Sequence, residues 1–166
     1  DRVYNIASLL SVSIDGGKTF ELNPVIACCE ASNTIHIDNH AFWINPADSR
    51  HLIIGNDGGI AISRDRGETW EMMRPLWDMP ERNKWLGGGA DIPGIHSICV
   101  HPRDSRRVVI GVSCGGVWET RDGGDTWNNV AAGMRAEYMP PERSNDPSIQ
   151  DPHQIVQCKA DPDWLW

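Results

Sequence analysis

The chain has 166 residues and sets 15 lysine and arginine side chains against 23 aspartates and glutamates, a formal net charge of -8. That length suits one domain with a real core and is short for two. The acidic balance argues against nucleic acid or an anionic membrane surface as a partner, because either would reward a basic face, and no apolar run approaches the roughly 20 residues of a membrane-inserting helix.

Five cysteines, at Cys28, Cys29, Cys99, Cys114 and Cys158, form no CxxC pair. With no signal peptide at the start, they lean toward packing thiols in a reducing compartment such as the cytoplasm. The dominant signal is repetition. An octapeptide of the form hydroxyl-x-Asp-x-Gly-x-Thr-aromatic occurs as Ser13 to Phe20, Ser63 to Trp70 and Thr120 to Trp127. The first two copies start 50 residues apart and the second two 57 apart. What precedes the last two also matches. Residues 40–70 lie over residues 96–127, sharing an initial His, a Pro-x-Asp-Ser-Arg turn, a strand-ending Gly and a Gly-rich turn, with one residue inserted near the latter.

Taken in chain order, residues 1–39 read as a partial unit of three strands with a linker, and residues 40–95 as a full unit with a long loop. Residues 96–152 read as a second full unit and loop, and residues 153–166 start the next unit with two strands. The four strands of the first full unit are expected at Ala41–Ile44, His51–Gly55, Ile60–Ser63 and Thr69–Met72, and a helix finds no room in the unit. Turn chemistry separates them: Pro46-Ala47-Asp48-Ser49, Asn56-Asp57-Gly58-Gly59 and Asp65-Arg66-Gly67. Four antiparallel strands recurring every fifty-odd residues imply an all-β chain. The expected fold is an incomplete β-propeller of two full and two partial blades, each sheet stacked on the next.

The octapeptide then falls in the hairpin between the third and fourth strands. Asp15, Asp65 and Asp122 are placed to accept backbone N–H groups, with Ser13, Ser63 and Thr120 tying the flanking strand. Gly17, Gly67 and Gly124 supply turn geometry, Thr19, Thr69 and Thr126 belong to the same structural pattern, and Phe20, Trp70 and Trp127 wedge between sheets. A pattern written in every unit is construction, since an active site needs only one constellation.

The octapeptide resembles the Asp-box, or BNR repeat, of sialidases, sortilin-like receptors, xyloglucan-degrading glycoside hydrolases and a photosystem assembly factor. The stretches 36–59 and 77–118, with 133–143 and 150–153, are similar to bacterial sortilin-like and exo-sialidase-like glycosyl hydrolase proteins, of which this chain reads as a segment. The resemblance implies a carbohydrate or glycoconjugate ligand on the face opposite the boxes, for hydrolysis or binding. The alternative is a non-catalytic propeller that binds protein or assists assembly. The sialidase arginine triad and Arg-Ile-Pro segment are not seen, and adjacent Glu137-Tyr138 does not reproduce that family's nucleophile pair.

On that opposite face the repeat gathers His40, His96 and His153, which serve either as ligand contacts or as strand-start hydrogen bonders. The carboxylates Asp38, Asp91, Glu137 and Asp151 are the candidates for the paired acids of glycoside hydrolysis. Trp77 and Trp85, in the loop that also holds Gly87 to Gly89, and Tyr138 in the other long loop, either stack on sugar or lid the core. No cofactor is required, but an extended segment would put His36, Asp38 and His40 on one side, a set suited to a divalent metal.

Overall fold

The computed structural model describes residues 1–24, 35–86 and 93–166. Cys28, Cys29, Gly87 to Gly89 and Asp91 lie outside the described residues.

The leading sheet runs β1 (Val3–Ile6), β2 (Leu10–Ser13) and β3 (Glu21–Leu22) in sequence order. The next contains β4 (Asn39–Ile44), β5 (Leu52–Asn56), β6 (Gly59–Ser63) and β7 (Glu71–Met72), again antiparallel and in order. The third repeats it with β8 (Ile95–Val100), β9 (Val108–Val112), β10 (Gly116–Thr120) and β11 (Asn128–Asn129). A final hairpin follows, in which Val156 and Trp166 exchange backbone bonds around the bridge of Gln157 with Leu165. These are successive blades of an incomplete β-propeller.

Why the sheets stack is legible in the middle strands. Along β5 every residue is buried, although strand side chains alternate between faces. Ile54 joins Leu10, Ile35 and Ala61 in a cluster facing the leading sheet, whereas Ile53 joins Ile95, Val100 and Ile110 facing the third. Strand β9 divides likewise, with Val109 packed toward Ile155 and Leu165 of the final hairpin. Both faces of a blade are thus core, and each fully buried aliphatic contributes about 1.5–3 kcal/mol.

The boxes fold identically three times. In each, the first hydroxyl (Ser13, Ser63, Thr120) donates to the aspartate and accepts the glycine N–H at 2.8–2.9 Å. The aspartate accepts the threonine N–H at 2.9–3.0 Å and the threonine hydroxyl. Hydrogen bonds from Thr19 hold the Asp15 carboxyl far below the usual range, and those from Thr126 do the same to Asp122. At Asp65 burial pushes upward, and the bonds from Thr69 and Ser63 outweigh it. Trp70 packs toward the leading sheet, 6.4 Å from Phe42, and Trp127 joins the cluster between the two full blades. Phe20, in the leading sheet, remains exposed.

Strands β4, β5 and β6 take in Asn39, Asn56 and Gly59 beyond the expected limits, and two strands start later than expected. His51 precedes its strand because its N–H closes the turn on Asp48 O. Thr69 and Trp70 precede β7 because the box aspartate occupies Thr69. Helix does occur, in the inserts: α1 (Arg74–Trp77) and a 3-10 turn at Pro80–Lys84, then another at Pro147–Ile149. Among the described residues no helix is long and apolar enough to cross a membrane.

Candidate functional site

His40 and His96 occupy the same place in their blades. Each falls at a register shift: β4 pairs Asn39 with Asn56 and Ala41 with Gly55, skipping His40, and β8 pairs Ile95 with Val112 and Ser97 with Gly111, skipping His96. A bulge leaves its extra residue unpaired and re-aims its side chain. Both imidazoles therefore leave their sheets at the same end and meet, stacked with centroids 4.3 Å apart and planes 9° from parallel.

His153 continues the row, 4.4 Å from His96. The segment carrying it is held against β8 by Ser97, whose hydroxyl donates to His153 O at 3.2 Å and accepts Ile155 N–H at 2.9 Å. Two glycines make the approach possible. A Cβ on Gly111 would stand 2.8 Å from Pro152 O, and one on Gly55 would stand 2.8 Å from Ile95 Cγ2.

Carboxylates flank the row. Asp57 Oδ1 lies 2.7 Å from His40 Nε2, and Asp151 Oδ1 lies 3.0 Å from His153 Nε2. Asp151 also accepts the Ser113 hydroxyl at 2.9 Å and the Cys114 N–H at 3.0 Å, so it staples the last segment onto the β9–β10 turn. Cys114 is the inserted residue of that turn and takes a left-handed φ of 49°. Asp57 reaches toward the next blade: a Cβ on Gly94 would meet Asp57 Oδ1 at 2.6 Å and His96 Nε2 at 2.8 Å. Burial pushes the central His96 below the ordinary histidine value, the flanking imidazoles add to this, and Asp57 and Asp151 oppose it.

Asp57 was not among the sequence candidates, because Asn56-Asp57-Gly58-Gly59 reads as turn chemistry. The signal was present: in an antiparallel sheet the β5–β6 turn lies at the end where β4 begins, beside His40.

The other candidates scatter. Glu137 is exposed, whereas the Tyr138 hydroxyl donates to Ile149 O and lies 3.7 Å from Cys114 Sγ; burial, then that contact, pushes it well above the usual tyrosine value. Trp85 is a correction. It is buried against Trp118, centroids 5.8 Å apart, and belongs to the core rather than to a sugar platform. Trp77 lies beside Gly59 at the histidine end but carries the Arg82 guanidinium 3.2 Å above its ring, so that face is already taken.

The metal set is corrected as well. Asp38 has φ of 62°, which breaks the alternation that would align His36, Asp38 and His40. His36 Nδ1 instead lies 2.7 Å from Ile37 O, and His40 faces Asp57. Among the described residues no group of three His, Cys, Asp or Glu side chains is arranged to hold a metal ion.

Comparison with known proteins agrees with the architecture. The BNR/Asp-box repeat family matches residues 61–72. An oligoxyloglucan-reducing end-specific xyloglucanase from Emericella nidulans is 30% identical over 125 residues, 74% of this chain and 14% of that protein. Xyloglucanase Xgh74A from Acetivibrio thermocellus is 35% identical over 105 residues, 61% of this chain and 11% of the relative. The chain thus spans about one seventh of the first relative's length. A GH74 xyloglucanase structure from Xanthomonas campestris superposes with a TM-score of 0.57 at 20% identity, covering 81% of this chain and 22% of that one. YCF48 from Cyanidioschyzon merolae does so with 0.51 at 14%, covering 95% and 42%. At these identities the structural likeness is one of fold.

Proposed function

We propose, for a chain that carries the BNR/Asp-box repeat on propeller blades, a role within a glycoside-hydrolase-like propeller that engages a polysaccharide at its histidine end. The observation that carries this reading is the imidazole row of His40, His96 and His153, flanked by Asp57 and Asp151. A polar, ring-walled end on a rigid frame suits hydroxyl-rich sugar, because imidazole and carboxylate groups take hydrogen bonds from several directions. The xyloglucanase relatives make a β-glucan with branched side chains the first substrate class to test. A sialidase-like substrate draws less support, since the relatives named above are xyloglucanases.

Within this reading the two acids differ. Asp57 bonds His40 and faces the inter-blade space, as a general base paired with an imidazole would. Asp151 already accepts three donors, which suits it to holding the site's shape. A non-catalytic binding propeller is the second reading, favoured by the three contacts that commit Asp151 Oδ1 to holding the structure.

The experiment combines reducing-sugar release from xyloglucan with binding of xyloglucan oligosaccharides, for the wild type, Asp57→Asn and Asp151→Asn. Hydrolysis predicts release that falls at least a hundredfold in Asp57→Asn with oligosaccharide binding kept. Binding without release supports the second reading, and neither binding nor release rejects both.

A further inference from the structure

At the opposite end of the strands from the histidine row, a cavity of about 270 Å³ opens between the two full blades. It sits at the small end of ligand pockets. Its floor is apolar, built from buried Ile53, Ile60 and Val108, while Arg64, Ser105 and Arg106 stand exposed at its mouth. Among the described residues no acidic side chain lines it, on a chain whose net charge is -8. Outside the lining, Asp104 is bonded to Arg106 Nε at 3.3 Å.

The repeat shows that Arg64 is not required by the scaffold, whereas Arg106 repeats Arg50 of the shared Pro-x-Asp-Ser-Arg turn, each bonded to its turn aspartate. In the cleft one sheet earlier, Ile14 stands at the position of Arg64, Ser49 at that of Ser105, and Asp1 at that of His51. The two arginines of that earlier cleft, Arg2 and Arg66, come from other repeat positions, and Arg2 is bridged to Glu68 at 3.3 Å. The first box is built from the same hydrogen bonds as the second, so an arginine at position 64 adds nothing to the turn. It adds a planar, permanently charged fork above an apolar floor.

We propose that the cleft between the two full blades binds a compact monocarboxylate with an apolar body, its carboxylate held at the mouth by Arg64 and Arg106 and its body against Ile53, Ile60 and Val108. Carboxylates are the natural partners of guanidinium forks, and the floor discriminates against anions with nothing to bury. His51, also in the lining, reports occupancy. Its burial and then Arg64 hold it below the ordinary histidine value, against the opposing Asp48, and an anion arriving beside Arg64 raises it.

The test is calorimetric titration of the protein with benzoate, benzyl alcohol and inorganic phosphate, together with the NMR titration of His51. The expected result is saturable one-to-one benzoate binding, at least tenfold tighter than either other probe, with the His51 midpoint rising in its presence. Arg64→Ile, the side chain the first box already accepts, weakens benzoate at least tenfold, and Arg106→Gln does so if the first variant melts early. The proposal is overturned if benzoate fails to saturate by about 10 mM, if phosphate binds as tightly, or if both variants leave affinity unchanged. This outcome is independent of the polysaccharide reading, because a carboxylate seated in the histidine row is insensitive to Arg64.

Discussion

At the scale of single residues, the box is a device for satisfying a turn without help from the sheet. Ser63, 1% exposed, is bonded to Asp65 and accepts the Gly67 N–H in a contact buried from solvent. Ser63→Ala leaves that buried N–H without a partner, at a cost of about 1–3 kcal/mol. Urea unfolding should show the loss as a lowered midpoint with unchanged slope. Ser63→Thr keeps the oxygen, as Thr120 does in the third box, and should keep most of the stability. The tryptophan after the box is a second residue-scale device: Trp127 donates its indole N–H to Gly124 O at 3.1 Å while its rings pack between blades.

At the scale of elements, the inner strands β4 and β8 set the geometry of the candidate site. Their shared bulge turns one histidine out of each sheet, and the strand-ending glycine of the second strand lets the following blade approach. Gly111→Ala places a methyl group 2.8 Å from Pro152 O, a backbone atom that cannot rotate away. Overpacking of this kind costs about 1–3 kcal/mol. The melting temperature should fall, and contacts between His96 and His153 ring protons should weaken while those between His40 and His96 persist. Equal weakening of both pairs would mean that the row is not assembled blade by blade.

At the scale of the whole molecule, stability depends on pH through two populations of groups. His96 and His51 are both held below the ordinary histidine value. The unfolded chain therefore takes up their protons first, and stability declines as pH falls from about 6.5 toward their lowered folded values. Facing His96 are His40, His153, Asp57 and Asp151. The carboxylates Asp15, Asp48, Asp65, Asp104 and Asp122 lie below their ordinary values, Asp48 at about 2 through its bonds from Arg50. Their contribution is complete above about 4 and is lost as pH falls through the folded values. Urea midpoints measured from pH 8 to pH 2 should thus show a shallow first decline and a steep second one. His96→Gln should reduce only the first.

The sequence by itself determined whatever repeats. Hydroxyl, aspartate, glycine, threonine and tryptophan at fixed offsets specify a turn through bonds spanning at most four residues. Three histidines spaced by the length of a blade had to line up once the blades stacked. Tertiary structure alone decided the contacts between residues far apart in the chain. Asp151 reached back to Ser113 across 38 residues, and Trp85 was claimed by Trp118 in the core. Local chemistry cannot foresee these outcomes, because a carboxylate in a turn or an indole in a loop has the same propensity whether it faces solvent, a neighbouring blade or a ligand. Only the packing of one sheet on the next selects among them.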